Sequence, residues 1–217
     1  MASLEERDRA PLLELGHRRE WQRGEALFYA IDRADSAIVL SAGLVKIHKT
    51  TADGAEVVLG LSGPGDLLGE ISAVGDASRS ASATALESAR GVVIPVPDLR
   101  AFLSGSPRAL LALLAMTLNR LYSADERRIE FATAGSLARV ASRLVELAER
   151  FGDGAGDGAV EVALPITQEE LASWSATSRE SAARSLRTLR ELRLIETRRM
   201  RLTVLDLEAL RLHSARL

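Results

Sequence analysis

Glu70 and Arg79 stand nine positions apart in the run LLGEISAVGDASRSASATA, residues 67–85, where almost every neighbour is small or apolar. A carboxylate and a guanidinium in such company ask for a purpose, because neither is needed to fold a stretch of Gly, Ala, Ser and Leu. A second constellation lies near the other end. Between residues 178 and 201 there are eight arginines (Arg179, Arg184, Arg187, Arg190, Arg193, Arg198, Arg199 and Arg201) against Glu180, Glu191 and Glu196, an excess of five positive charges with no lysine. Arginine is the side chain that makes forked contacts to phosphate and to guanine. A solvated helix face would account for the same cluster, so the elements that carry it decide.

Other chemistries find little support. The 217 residues contain no cysteine, which excludes disulfides, iron–sulfur clusters and thiolate zinc sites. His17, His48 and His213 are far apart and lack metal-ligand spacing, and no Ser/His/Asp grouping or acid pair has a supporting motif. The expectation is a protein that is not an enzyme and holds no metal. The glycine-rich FGDGAGDGA has no following Lys-Ser/Thr and reads as a connector, not a phosphate cradle. The charged start MASLEERDRAPLLELG has no signal-peptide core, and the longest apolar run, near ALLALLAM, is too short for a bilayer span. A cytoplasmic protein with no membrane partner is expected. The formal net charge of −2 rules out a polycation overall.

From about residue 20 to 100 the pattern is short Val- and Ile-rich segments bounded by Gly, Asp or Pro, with a hairpin turn at Asp53 and Gly54. This spacing suggests a barrel or β-roll rather than a parallel sheet. After Pro107 the period becomes helical. Leu111, Leu114, Leu118 and Leu121 form an apolar seam, which Asp125 and Arg128 then interrupt. Such a helix either packs on its own β domain or pairs with a second copy of itself. A further helix over residues 136–150 puts Leu137, Val140, Ala141, Leu144, Val145 and Ala148 on one face, and VEVALP then alternates as a strand.

Thr167 is followed three residues later by Glu170, and Thr177 by Glu180, which is capping-box spacing in both cases. Two helices, about QEELASWS and SRESAARSLRTLREL, are therefore joined by only two or three residues, the helix-turn-helix arrangement. The second sorts its residues, with Ala182, Leu186 and Leu189 on one face and Glu180, Arg184, Arg187 and Glu191 opposite, Arg179 standing at the border. That suits insertion into a major groove, where arginine forks onto guanine O6 and N7 and glutamate accepts from cytosine N4. ETRRMRLTVLD follows as two short strands with a basic turn, a wing able to lie along phosphates. An ordinary helical hairpin with solvated charges is the alternative.

In this order, a β domain with GDLLGE…SRSASA, a long helix, and ITQEELASWSATSRESAARSLRTLRELRLI, the chain resembles the CRP/FNR family of bacterial transcription regulators over nearly its whole length. The resemblance implies an α+β protein in three parts. These are an N-terminal cyclic-nucleotide-binding-like, jelly-roll-like β-roll (1–106), a long dimerisation helix (107–135), and a C-terminal winged helix-turn-helix DNA-binding domain (136–217). It implies a ligand cassette of Gly69, Glu70, Ile71, Arg79, Ser80, Ala81 and Arg120. In it a short helix would begin near Gly69 and face a cyclic phosphate, with Arg79 and Ser80 on the anionic oxygens and Glu70 on the ribose 2′-hydroxyl. The other reading is that Glu70 and Arg79 pair with each other to seal the roll. The Thr-Ser pair with which the family's cyclic-AMP sensors read adenine falls on Ala124 and Asp125, beside Ser123, so a cyclic nucleotide is implied but cyclic AMP is not. DNA contacts are expected from Thr167, Gln168, Ser178, Arg179, Glu180, Arg184, Arg199 and Arg201. Double-stranded DNA, a second copy of the chain and, for an activator, RNA polymerase are the implied partners. A nucleotide sensor or a ligand-independent regulator with altered or weakened DNA binding is the alternative. Ile31, Ala176 and the turn between Arg198 and Arg201 lack the glycines usual in the family. If the backbone at Ile31 and Ala176 is left-handed, each of those side chains brings roughly 1 kcal/mol of strain.

Overall fold

The computed structural model describes residues 6–75, 78–156, 158–163 and 165–214. The elements in chain order are α1 (Glu6–Glu14), β1 (His17–Trp21), β2 (Ala26–Phe28), β3 (Ser36–Ala42), β4 (Val45–Thr50), β5 (Glu56–Ser62), β6 (Leu67–Leu68), α2 (Glu70–Gly75), β7 (Ser82–Ala85), β8 (Ala89–Pro95), α3 (Val96–Gly105), α4 (Pro107–Thr133), α5 (Ser136–Phe151), β9 (Gly152–Gly156), β10 (Ala159–Ala163), α6 (Gln168–Trp174), α7 (Arg179–Glu191), β11 (Ile195–Arg198), β12 (Arg201–Val204) and α8 (Leu207–Ser214). The chain divides into two compact units, residues 1–123 and 124–217, so α4 contributes to each.

The first unit holds two four-stranded antiparallel sheets, ordered β1-β8-β3-β6 and β2-β7-β4-β5. Strand alternation assigns the core. On β3, Ile38 and Leu40 join Trp21, Val45, Leu68 and Ala83 in one cluster. Ala37 and Val39, on the opposite face, join Leu12 of α1, Leu99 and Leu103 of α3, and Ala109 and Leu113 of α4 in another. Strand β3 is thus buried on both faces. The hairpin at Asp53 and Gly54 forms as its sequence demands, with Gly54 at φ 84° and Thr50 opposite Glu56.

The reading that packs the leucine seam of the long helix on its own β domain is corrected, because a different face of the helix meets the roll. Ala109 and Leu113 pack into the roll's core, while Leu111, Leu114, Leu118 and Leu121 are all exposed. The apolar seam has no partner within the described residues of this chain.

In the second unit α5 buries Val140, Ala141, Leu144, Val145 and Ala148, the stripe its sequence predicts apart from Leu137, and buries Ala138 and Leu147 besides. The strands order as β11-β12-β10-β9. Here one expectation is corrected. The glycine-rich segment is not a mere connector, since residues 152–156 form β9, paired antiparallel with β10. Gly152 suits that role because a Cβ would run into Val160 and the Ala148 carbonyl. Position 157 of the same segment, and Leu164 of the VEVALP strand, lie outside the described residues. Among the described residues no single helix is long and apolar enough to cross a membrane, and no group of three His, Cys, Asp or Glu is placed to hold a metal.

Candidate ligand cassette and nucleic-acid interface

Strand β6 delivers the chain to Gly69, which takes φ 78° and turns it into α2. A Cβ there would collide with Nη1 of Arg79, so glycine is required twice over, by conformation and by space. Glu70 opens α2 and is 3% exposed; Arg79 is 4% exposed. They do not pair with each other. Arg79 donates from Nη1 to the Gly69 carbonyl (3.2 Å) and from Nη2 to the Ser36 carbonyl (2.6 Å) and Ser36 Oγ (3.4 Å). Asp35 stands 3.7 Å away, and the guanidinium lies 4.4 Å from the centre of the Phe28 ring. Glu70 is instead ion-paired with Arg120 of α4, whose Nη2 also donates to the Leu67 carbonyl at 2.8 Å.

The direct Glu70–Arg79 seal is therefore corrected. Backbone carbonyls satisfy the buried cation, and a third residue satisfies the buried anion, as unpaired charge in a core would be costly. Burial pushes the Arg79 guanidinium below its ordinary value, with Asp35 the chief opposing influence, and it remains a cation at neutral pH. Arg79 Nε is buried without a partner. The backbone ties this cation to a strained turn: Ile31 N–H donates to the Arg79 carbonyl, and Arg79 N–H to the Asp32 carbonyl, both at 2.9 Å. Ile31 is left-handed at φ 69°. Of the remaining cassette residues, Ala81 is buried, while Ile71 and Ser80 are exposed. On α4, Ser123, Ala124 and Asp125 are exposed, and Asp125 pairs with Arg128 at 3.3 Å.

In the second unit α6 begins as predicted. Thr167 Oγ1 accepts from the Glu170 amide (3.1 Å), and Glu170 Oε2 accepts from the Thr167 amide (2.7 Å). The second expected capping box does not form. Ser178, not Thr177, caps α7, its Oγ accepting from the Ser181 amide at 3.1 Å. The reason is the turn before it. Ala176 N–H donates to the Ser173 carbonyl and Thr177 N–H to the Ala172 carbonyl, so Thr177 is consumed in closing α6 as a Schellman motif with Ala176 at φ 47°. The cap shift leaves the Glu180 carboxylate free of capping duty. Helix α7 ends the same way without glycine: Arg193 N–H donates to Arg190 and Leu194 N–H to Leu189, with Arg193 at φ 55°.

Helix α7 buries Ala182, Leu186 and Leu189 and exposes Arg179, Glu180, Arg184, Arg187 and Glu191. Among the described residues none of Arg179, Glu180 or Arg184 has an ion pair or side-chain hydrogen bond. Thr167, Gln168, Glu169 and Arg179 line a shallow cleft of about 320 Å³ where the starts of α6 and α7 come together. Thr167, Gln168 and Ser178 are exposed as well. The wing forms as a β11–β12 hairpin, Arg198 opposite Arg201, with Met200 left-handed at φ 61°. Arg199 is exposed at its tip, whereas Arg201 is ion-paired with Glu161 of β10. Sequence reasoning misses Arg143, a buried cation on α5. A signal for it exists, because position 143 falls on the same stripe as Val140, Leu144 and Leu147.

Comparison with known proteins agrees with this geometry unit by unit. The cyclic nucleotide-binding domain family matches residues 18–106, and the Crp-like helix-turn-helix domain family matches residues 138–212. A CRP-like cAMP-activated global transcriptional regulator from Mycobacterium tuberculosis is 32% identical over 167 residues, 77% of this chain and 74% of that one. A cyclic AMP receptor protein from Thermus thermophilus is 32% identical over 174 residues, 80% and 77% of the two chains. The structure of FixK2 from Bradyrhizobium japonicum superposes with a TM-score of 0.83 at 19% identity, over 92% of this chain and 98% of its own, which speaks to the fold. A β-roll matched by the cyclic nucleotide-binding domain family, a long helix with a bare leucine seam and a helix-turn-helix in one chain, matched at this identity over this length, place the protein in the CRP/FNR family of transcription regulators.

Proposed function

We propose that the chain acts as a cytoplasmic homodimer that reads a twofold-symmetric DNA site with Arg179, Glu180 and Arg184. The observation that carries this is the outward face of α7, three charged side chains at successive groove-reading positions that no other described residue engages. Buried Ala182, Leu186 and Leu189 hold the helix while its N-terminal half stays free for base edges. Thr167, Gln168, Ser178 and Arg199, all exposed, would contact phosphates, and Arg201 would have to leave Glu161 to join them. The α4 seam of Leu111, Leu114, Leu118 and Leu121 supplies the face for a second copy, setting two α7 helices on half-sites about 34 Å apart. If the output is activation, RNA polymerase is the further partner. The domains 1–106, 107–135 and 136–217 are the working division of labour.

A cyclic nucleotide is the effector class that the roll's residues fit. A buried guanidinium with a free Nε stands beside a glycine-opened helix, and a carboxylate lies within the same cassette. Arg79 would hold the cyclic phosphate, Ser80 would add a hydroxyl, and Glu70 and Arg120 would meet the sugar. Such a ligand would bring the base and the anion; the chain would supply orientation and charge. A ligand-independent regulator is the second reading, favoured by one observation: Arg79 already satisfies the Gly69 and Ser36 carbonyls, and Glu70 already holds Arg120.

The deciding experiment has two arms. Selection of duplexes from a random library by the full chain should enrich a palindrome whose binding falls steeply with salt; equal affinity for enriched and random DNA refutes the specific regulator. A thermal-shift panel of cyclic mononucleotides and dinucleotides, on wild type and Arg79→Ala, should give a shift that the substitution abolishes. No shift with any compound favours the ligand-independent reading.

A further inference from the structure

Arg143 is the one arginine of α5 that is buried, 4% exposed in a helix whose other buried positions are Leu, Val and Ala. Its Nη2 donates to Glu130 Oε2 of α4 at 2.6 Å and to Ser142 Oγ at 3.0 Å, and its Nη1 donates to Glu146 Oε2 at 3.4 Å. Its guanidinium also lies 5.6 Å from the centre of the Trp174 ring. Three helices of the second unit thus meet on one cation: the last turns of α4, the body of α5 and the final residue of α6. Glu146 extends the group to Arg150 (3.2 Å) and Arg127 (3.9 Å).

Stability does not explain this arrangement. Apolar side chains of similar volume would fill the space at no loss, since a buried ion pair roughly offsets its own desolvation. The network also leaves Glu130 Oε1, Arg143 Nε, Trp174 Nε1 and Ser175 Oγ buried without partners, which a core shaped for stability alone would avoid. What a forked, planar cation supplies is direction. The direction matters here because Trp174 is followed by Ser175 and the left-handed Ala176, the turn that fixes how α7 leaves α6. Helix α4 runs unbroken from Pro107 to Thr133, so the helix that carries Glu130 also carries the leucine seam and Arg120.

We propose that Arg143 is a positioning residue for DNA recognition, joining the end of α4 through Glu130 to the α6–α7 turn through Trp174 and so setting the orientation of the recognition helix. The proposal rests on the DNA-binding reading above. Arg143 need not touch DNA, so its loss should harm discrimination between sequences rather than attraction to phosphates.

The test uses the full chain, a duplex enriched by the wild type and a random duplex of the same length. In the Glu130→Leu/Arg143→Met double variant no buried charge is left alone, so the fold should survive with a cooperative melt at or above the wild-type temperature. Affinity for random duplex and the salt slope should be unchanged, while affinity for the enriched duplex falls about tenfold. Arg143→Lys keeps a cation near Glu130 but loses the flat face on Trp174, and should lose about threefold on the enriched duplex only. A well-folded double variant with the wild-type ratio of the two affinities overturns the proposal. If the double variant melts early, Arg143→Lys decides in its place, and a wild-type ratio there overturns the proposal equally. A wild type that enriches no sequence removes the DNA-recognition reading itself, and the positioning role with it.

Discussion

Arg79 in the roll and Arg184 on α7 are the same side chain in opposite circumstances. Arg79 is buried, forked onto two backbone carbonyls and stacked over Phe28. Arg184 is exposed and engages nothing among the described residues. The first is a structural part that an anion would have to share, because any ligand entering there competes with Gly69 and Ser36 for the guanidinium. The second is a tool held ready, since nothing must break before it meets a base edge. The difference teaches that one kind of side chain can be bound into the fold in one unit and stand free in the other, and that exposure and partners separate the two circumstances where sequence cannot.

The largest effect should come from Arg79→Ala. Truncation leaves two carbonyls without a donor and empties the space over Phe28, so unfolding free energy should fall by about 3 kcal/mol in denaturant titration. A loss under about 0.5 kcal/mol, the range of ordinary surface changes, would mean the cation is not a structural part and would erase the contrast.

Arg184→Ala should do the reverse. Its stability should stay within about 0.5 kcal/mol of wild type, while discrimination at one base pair of the enriched site relaxes by roughly 1–3 kcal/mol in competition binding. Uniform weakening across all sequences would instead make Arg184 a phosphate contact.

The sequence carries the broad plan and one full cap. Two periods, short alternating strands and then helical seams, are enough for the roll, the long helix and the helix-turn-helix, and Thr167 with Glu170 marks the start of α6 to the residue. The second cap is ambiguous in sequence because Thr177 and Ser178 are adjacent hydroxyls and each has a partner three residues on. The choice between them belongs to the Schellman turn, which the missing glycine at 176 conceals. The partners of Arg79 are not legible in principle, since one is a backbone carbonyl 43 positions away and carries no side-chain signature. Helix α3 and helix α1, with Pro11 inside it, escape a reading by period because they are short and packed by tertiary contact. Arg143 is legible after all, as a charge sitting on an apolar stripe.

Those hidden turns allow a smaller test. Ala176 and Arg193 close the two helices of the DNA-binding motif in left-handed backbone, where each Cβ adds strain of roughly 1 kcal/mol. Ala176→Gly should therefore raise stability by somewhat under about 1 kcal/mol, the gain being reduced by the freer unfolded chain. Its effect on DNA discrimination sharpens the contrast between the two units, because a relaxed turn that leaves the enriched-to-random ratio unchanged shows α7 to be oriented by its packing rather than by its linker.

The smallest effect separates burial from location. Asp53 lies in the same unit as Arg79 but at the open β4–β5 turn, where hydrogen bonding from Thr51 first, and from backbone amides next, holds its carboxyl below the ordinary value. A carboxyl depressed in the folded state adds stability above its unfolded pKa and loses it as pH falls through the folded one. The melting temperature of Asp53→Ala should accordingly lie slightly below wild type at neutral pH, with the gap closing as pH drops past the usual carboxylate range near about 4. Because the group is fully exposed, the gap should be far smaller than that of Arg79→Ala measured in the same buffers, and addition of salt should shrink it further where the Arg79 gap holds. An Asp53 gap as large as that of Arg79 would mean that membership of the roll, not burial within it, decides which charges the fold depends on.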